Sequence, residues 1–247
     1  MNLEILYQDD AIVVVNKPPD VLTIPDRFVL AKPNLYHLLL KQFEEIYTVH
    51  RLDKETSGLL VFARTPEAHA NLNQQFVKRK TRKWYYALIQ GKLSTETGTI
   101  NQPLAPSTTR PGAMVVAKRG KEAETSYEVL ETFKEYSFIK AEIKTGRMHQ
   151  IRVHFLSIGH PLAIDALYGK RNEIFLREIK TKKYKGGDLD TERPLMNRCT
   201  LHSAVLEFQH PVTGMAMTFE APLPKDFSAL LNQLRKWSTP SEGGKLI

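Results

Sequence analysis

Apolar positions along this chain follow two periods, and the segments they mark do not alternate regularly between strand and helix. Ala11 to Val15 is a continuous apolar run that reads as a short buried strand, stopped by Asn16-Lys17-Pro18-Pro19. Asn34 precedes Leu35, Leu38, Leu39, Phe43 and Ile46, the spacing of one helix face behind a capping residue. Leu59 to Ala63 is a second apolar strand. Thr65-Pro66 places a cap and a first-turn proline ahead of Ala68, Leu72 and Phe76, predicting a helix that ends in Lys78-Arg79-Lys80. Trp84 to Ile89 reads as a buried strand, and Ser126 to Phe133 and Ser137 to Ile143 as paired strands about Lys134-Glu135. Arg147 to Ile158 predicts a helix stopped by Gly159, with Met148, Ile151 and Phe155 as its apolar stripe. Leu201 to Phe208 and Met215 to Glu220 form a late hairpin through Pro211-Val212-Thr213-Gly214. The class is α+β with a mainly antiparallel sheet.

Two stretches stand apart. Lys170 to Arg198 is polar, basic and broken by Gly186-Gly187, so it is either a long functional loop or an insertion. The end, STPSEGGKLI, has too little apolar surface to order itself. One domain over residues 1–237 with a flexible tail at 238–247 is expected.

Composition narrows the partners. With 247 residues and 42% apolar content the chain can bury a sizeable core. Its 35 Lys and Arg against 27 Asp and Glu leave 35 − 27 = +8, which favours an anionic partner, nucleic acid before membrane. Cys199 is the single cysteine, so an intramolecular disulfide and a cysteine-based zinc cluster are both excluded, and a reducing compartment fits. The acidic start MNLEILYQDD lacks a secretory pattern, and the apolar runs fall short of the ~18 residues of a membrane span. A cytoplasmic protein without membrane contact is expected.

Three stretches carry candidate chemistry. In HRLDKETSGLL, residues 50–60, Asp53 beside Arg51 would stay ionised and suit a nucleophile or base. It could equally cap the turn through its own backbone. Nothing in the spacing raises the pKa of Asp53 or Glu55 over the other, as a glycosidase pair would need. In KTRKWYY, residues 80–86, a basic edge runs into three aromatics, with Tyr85, Ala87 and Ile89 on one face and Trp84, Tyr86 and Leu88 on the other. Such rings serve either a splayed nucleobase or the core. In TGRMHQIRVHF, residues 145–155, Arg152 borders the apolar stripe, so it snorkels to solvent or is held inside by a carboxylate. His149 and His154 are five apart rather than the four of a helical zinc pair, and no metal is expected.

Taken together, HRLDKETSGLLVFA, RKWYYALIQG and IKTGRMHQIRVH resemble the three sequence blocks of the pseudouridine synthases that modify uridines in ribosomal and transfer RNA. The likeness runs from ILYQDDAIVVVNKP through GKEAETSYEVLETF and GHPLAIDALYG to HPVTGMAMTFEAPLP. It implies a mixed, mainly antiparallel sheet with flanking helices and a central active-site cleft, without an N-terminal RNA-binding module. It also implies that Asp53 is catalytic, that Tyr85 stacks on the target base, that Arg152 pairs with Asp53, and that Arg51 enters the RNA where the uridine has left the stack. No cofactor and no metal take part. His50, Thr56, Arg147 and His149 are expected on the substrate side. Lys78, Arg79, Lys80, Arg82 and Lys83 are expected on RNA phosphates, with Lys180, Lys182, Lys183 and Lys185 as a second cationic group. The substrate is structured RNA, ribosomal or transfer, and the enzyme a monomer. One departure is Ala163-Ile164 before Asp165, where relatives commonly carry glycine. Two other readings remain at this point: an RNA-binding protein without chemistry, and a nucleoside glycosidase.

Overall fold

The computed structural model describes residues 3–26, 29, 31–180 and 192–238. Its elements are β1 (Glu4–Gln8), β2 (Ile12–Lys17), α1 (Leu35–Leu39), β3 (Tyr47–Thr48), β4 (Ser57–Ala63), α2 (Pro66–Val77), β5 (Arg82–Gln90), β6 (Thr97–Asn101), β7 (Leu104–Pro106), β8 (Met114–Val116), β9 (Glu124–Thr132), β10 (Tyr136–Ile143), α3 (Gln150–Ser157), α4 (Leu176–Ile179), β11 (Leu201–Gln209), β12 (Ala216–Glu220) and α5 (Lys225–Trp237). The fold is the mixed, mainly antiparallel α+β type. By its contacts the chain divides into two compact units, Met1–Tyr85 with Glu142–Thr145 and Leu201–Pro222, and Tyr86–Ala141 with Gly146–Thr200 and Leu223–Ile247.

In the first unit β2 and β4 pair antiparallel, Ile12 opposite Ala63 through Lys17 opposite Gly58. Every residue of β4 is buried, which is why it reads as an unbroken apolar run rather than an alternation. β1 pairs with β2, β3 with β4, and β12 with β11, all antiparallel. β11 joins β4 in parallel, with His202 opposite Ser57 and Ser203 opposite Gly58. The core packs Ile12, Val14, Leu59 and Val61 against Ala68 and Leu72 of α2. That helix starts where its cap dictates, with the Ala68 N–H donating to Thr65 Oγ1 at 3.2 Å ahead of Pro66 in the first turn.

In the second unit the hydrogen-bonded order runs from the end of β5 through β10 and β9 to β6, while β7 and β8 form a separate ribbon. Leu88, Phe133, Phe138 and Ile164 pack against Phe227, Leu230, Leu231 and Leu234, the i, i+3, i+4, i+7 face of α5. Arg198 anchors the start of α5 through paired hydrogen bonds to Asp226 at 2.6 and 2.8 Å.

Several expectations change. Asn34 caps α1, accepting from the His37 N–H at 2.9 Å, but α1 ends at Leu39. Ile46 is buried beyond the helix, so its apolar spacing reflects core packing rather than helix periodicity. α3 starts at Gln150 rather than Arg147, because His149 takes a left-handed conformation (φ 57°) that ends the helix on its N-terminal side. Met148 therefore lies outside the stripe and is 41% exposed. The flanks of the Lys170–Arg198 stretch are core rather than loop. Ile174, Ile179 and Met196 are buried, and Ile174 exchanges backbone hydrogen bonds with Met196 and Leu195 at 2.9 and 2.8 Å. Residues 181–191, with Lys182, Lys183 and Lys185, and the tail 239–247 lie outside the described residues. No helix among the described residues is long and apolar enough to cross a membrane.

Candidate active site

The Asp53 turn is fixed by three polar side chains, two of them buried and the third partly so. Lys17 is fully buried, and its ammonium donates to the carbonyls of Pro18, Val21 and Lys54 at 2.9, 2.8 and 2.9 Å. Three donors on three carbonyls saturate an ammonium. The Thr23 hydroxyl donates to the Leu52 carbonyl at 3.0 Å and accepts from the Leu52 N–H at 3.2 Å. The His50 ring is turned inward, accepting the Val61 N–H at Nε2 (3.2 Å) and stacking on Phe76 with centroids 4.7 Å apart. Burial first, and then the Lys83 charge, push its pKa down to about 3, so it is neutral. The turn closes on itself with the Thr56 N–H donating to the Asp53 carbonyl at 3.1 Å. Asp53 is half-buried and Arg51 beside it is exposed.

The Thr-Ser-Gly half of the motif docks β11. Ser57 Oγ lies 2.9 Å from His202 Nδ1. Gly58 has φ 111°, and a Cβ there would stand 2.1 Å from the Ser203 carbonyl oxygen, so only glycine allows the strands to meet. Ser203 in turn hydrogen-bonds the Tyr85 phenol, which is 6% exposed. Burial pushes that phenol up to about 12, the Ser203 hydrogen bond works against the rise, and the Asp53 charge adds to it. Asp53 and Tyr85 are thus electrostatically coupled, and Tyr85 is a neutral phenol at neutral pH. Thr56 Oγ1 is buried and has no hydrogen-bond partner among the described residues.

In the second unit Arg152 is 6% exposed and sits in a cassette made by Asp165, Tyr168 and Gly169. Its Nε and Nη2 donate to Asp165 at 2.7 and 2.8 Å, and its guanidinium lies 5.0 Å from the centre of the Tyr168 ring. Asp165 Oδ1 also accepts the Leu167 and Tyr168 N–H groups, each at 2.9 Å. Burial would raise the Asp165 carboxyl, but the Arg152 hydrogen bonds and charge and these two N–H groups hold it below the usual carboxylate range. The Tyr168 hydroxyl takes the Met114 N–H at 2.7 Å and lies 2.7 Å from His149 Nδ1. Arg147 Nε donates to the Glu122 carbonyl at 2.9 Å. Ala163 and Ile164, where glycine is common, are buried in the core, and the turn at Asp165 is intact.

The basic run is not uniform. Lys78, Arg79 and Lys80 are exposed after α2, and Lys78 and Lys80 line an open polar groove of about 240 Å³ with Asn71, Gln74, Gln75 and His210. Arg82 is exposed but committed to Glu142 at 3.0 Å, with Glu207 at 4.0 Å, and lies over Trp84. Lys83, on the opposite face, is buried. Lys180 places its ammonium 4.7 Å from the centre of the Trp237 ring. Sequence reasoning missed Lys17, Ser203 and Asp165 as supports of the site. Only the isolated Lys in an Asn-Lys-Pro stop after an apolar strand could have marked the first. No group of three His, Cys, Asp or Glu among the described residues is arranged to hold a metal ion.

An aspartate turn beside a buried tyrosine, in a basic chain of this fold, fits an enzyme acting on nucleic acid. The model of the RNA pseudouridylate synthase family matches residues 11–157. The chain is 38% identical to the ribosomal large subunit pseudouridine synthase D of Haemophilus influenzae, over 94% of this chain and 71% of that one. It is 38% identical to the protein of the same name from Pseudomonas aeruginosa, over 96% and 73%. The solved structure of human RNA pseudouridylate synthase domain containing 4 superposes with a TM-score of 0.71 at 26% identity, covering 94% of this chain and 93% of that one. The chain belongs to the RNA pseudouridylate synthase family, and it is an isomerase that forms pseudouridine in RNA.

Proposed function

We propose that Asp53 is the catalytic carboxylate and that the substrate is a structured ribosomal RNA with an exposed uridine. One observation carries the assignment: the Asp53 charge acts on the buried Tyr85 phenol, so a carboxylate on a clamped turn and an aromatic ring on β5 share one locality. Isomerisation breaks the N1–C1′ bond, turns the uracil, and forms the C5–C1′ bond. N1 gains a proton and the hydrogen on C5 leaves to water. Tyr85, held neutral by burial, offers its ring to the flipped uracil and keeps it from leaving the pocket. Arg51, exposed beside Asp53, fills the gap that the flipped nucleotide leaves in the stack. Arg152, fixed by Asp165, is the third residue that family resemblance assigns to the reaction. The large-subunit names of the relatives support ribosomal over transfer RNA. A cytoplasmic monomer that uses neither metal nor cofactor completes the proposal.

The test maps pseudouridine across cellular RNA with and without the gene. Loss of one or more sites in large-subunit ribosomal RNA is expected. Loss confined to transfer RNA would move the substrate, and free uracil released by the purified protein would make it a glycosidase.

A further inference from the structure

Lys83 sits where a lysine is costly. It lies on the same face of β5 as Tyr85, two residues away, and is 8% exposed. Among the described residues no carboxylate or carbonyl accepts from its ammonium, which lies 5.2 Å from the centroid of the Phe76 ring. The other groups around it are His50, which is neutral, and the Tyr85 phenol, also neutral. The acidic groups that neighbouring strands bring to this end of β5, Glu142 on β10 and Glu207 on β11, are turned to Arg82 on the opposite face. The contrast with Lys17, which is fully buried and has three carbonyl acceptors, shows that this fold satisfies an internal lysine when it serves the framework. A buried cation without an anion is unfavourable. It persists where a ligand supplies the missing charge.

We propose that Lys83 binds a backbone phosphate of the RNA adjacent to the target uridine, and so sets the position of the nucleotide that stacks on Tyr85. This rests on the assignment of Tyr85 to the flipped base. A strand places side chains two residues apart roughly 7 Å from each other, about the separation of a base from its neighbouring phosphate. A point charge fits a phosphate, whereas a fork would be wanted for a base edge. Binding is coupled to a proton, because burial lowers the Lys83 amine to about 8 and a phosphate needs the ammonium form. RNA affinity is therefore full below about pH 8 and declines above it.

The experiment measures binding of a transcript of large-subunit ribosomal RNA between pH 6.5 and 9.5 at fixed salt, for wild type, Lys83→Met and Lys83→Arg. Wild type is expected to hold its affinity up to about pH 8 and then lose up to tenfold per pH unit until the contribution of the amine is gone. Lys83→Arg keeps the affinity without the break, because its charge does not titrate in this range. Lys83→Met binds about tenfold more weakly at pH 7 and shows no break. A Lys83→Met protein that binds as wild type at every pH, or a Lys83→Arg protein that keeps the break, overturns the proposal. Pseudouridine formation is scored separately. Binding as expected with no isomerisation counts against the assigned reaction alone, whereas isomerisation with unchanged Lys83→Met binding counts against Lys83 alone.

Discussion

At the scale of single residues, burial is the leading influence on the protonation of His50, Lys83 and Tyr85. His50 is the clearest case. Its pKa lies at about 3 in the folded protein against 6.5 for the free side chain, because burial disfavours the charged ring and the nearby Lys83 charge adds to the effect. The unfolded chain binds a proton below pH 6.5 while the folded one does not, so stability falls as pH drops from 6.5 towards 3. Between pH 7 and pH 5 this single group contributes a loss of about 2 kcal/mol. His50→Gln keeps an acceptor for Val61 without titrating. Its urea midpoint should fall less than that of wild type over the same interval, and an equal fall would remove His50 from the explanation.

At the scale of elements, each catalytic candidate is held by a segment distant in sequence. β11 reaches Tyr85 through Ser203 because Gly58 lets it approach β4. The segment after α3 returns Asp165 to Arg152 with both oxygens occupied. Breaking one partner of a buried pair leaves the other charge unpaired, at a cost of ~3 to 5 kcal/mol. Arg152→Met and Asp165→Asn should both lose stability on that scale in urea unfolding, and Arg152→Lys should recover only part, since an ammonium cannot reproduce the fork. Wild-type stability in either of the first two would mean that the pair is not a support.

What sequence shows depends on this same distinction. Continuous apolar strands, the caps at Asn34 and Thr65 and the late hairpin are local, and they were legible. α5 carries Phe227, Leu230, Leu231 and Leu234 at helical spacing behind Pro224, a local pattern that sequence reasoning missed. The left-handed His149 is a tertiary choice, held by Tyr168, that no local propensity predicts. Within the site, Asp53, Tyr85 and Arg152 were marked by family resemblance. The partners Lys17, Ser203 and Asp165 depend on strand register and chain return, which spacing does not encode.

At the scale of the whole molecule, a charge of +8 favours a polyanionic partner, and the structure sorts the cations by exposure. Arg82 is exposed but paired with Glu142, and Lys83 is buried beside Tyr85, so the exposed cations of the run outside that pair are Lys78, Arg79 and Lys80. Replacing these three by Gln should reduce the slope of log affinity against log salt by about 2 to 3, with the chemical step on bound RNA nearly unchanged. An unchanged slope would make that run a solvated helix end. The account as a whole stands on Asp53. RNA carrying tritium on C5 of uridine, given to wild type and to Asp53→Asn, measures the bond exchange directly. Wild type should release tritium to water in step with pseudouridine formation, and Asp53→Asn should bind the same RNA within a few fold and release none. Multiple turnovers by Asp53→Asn would contradict the assignment.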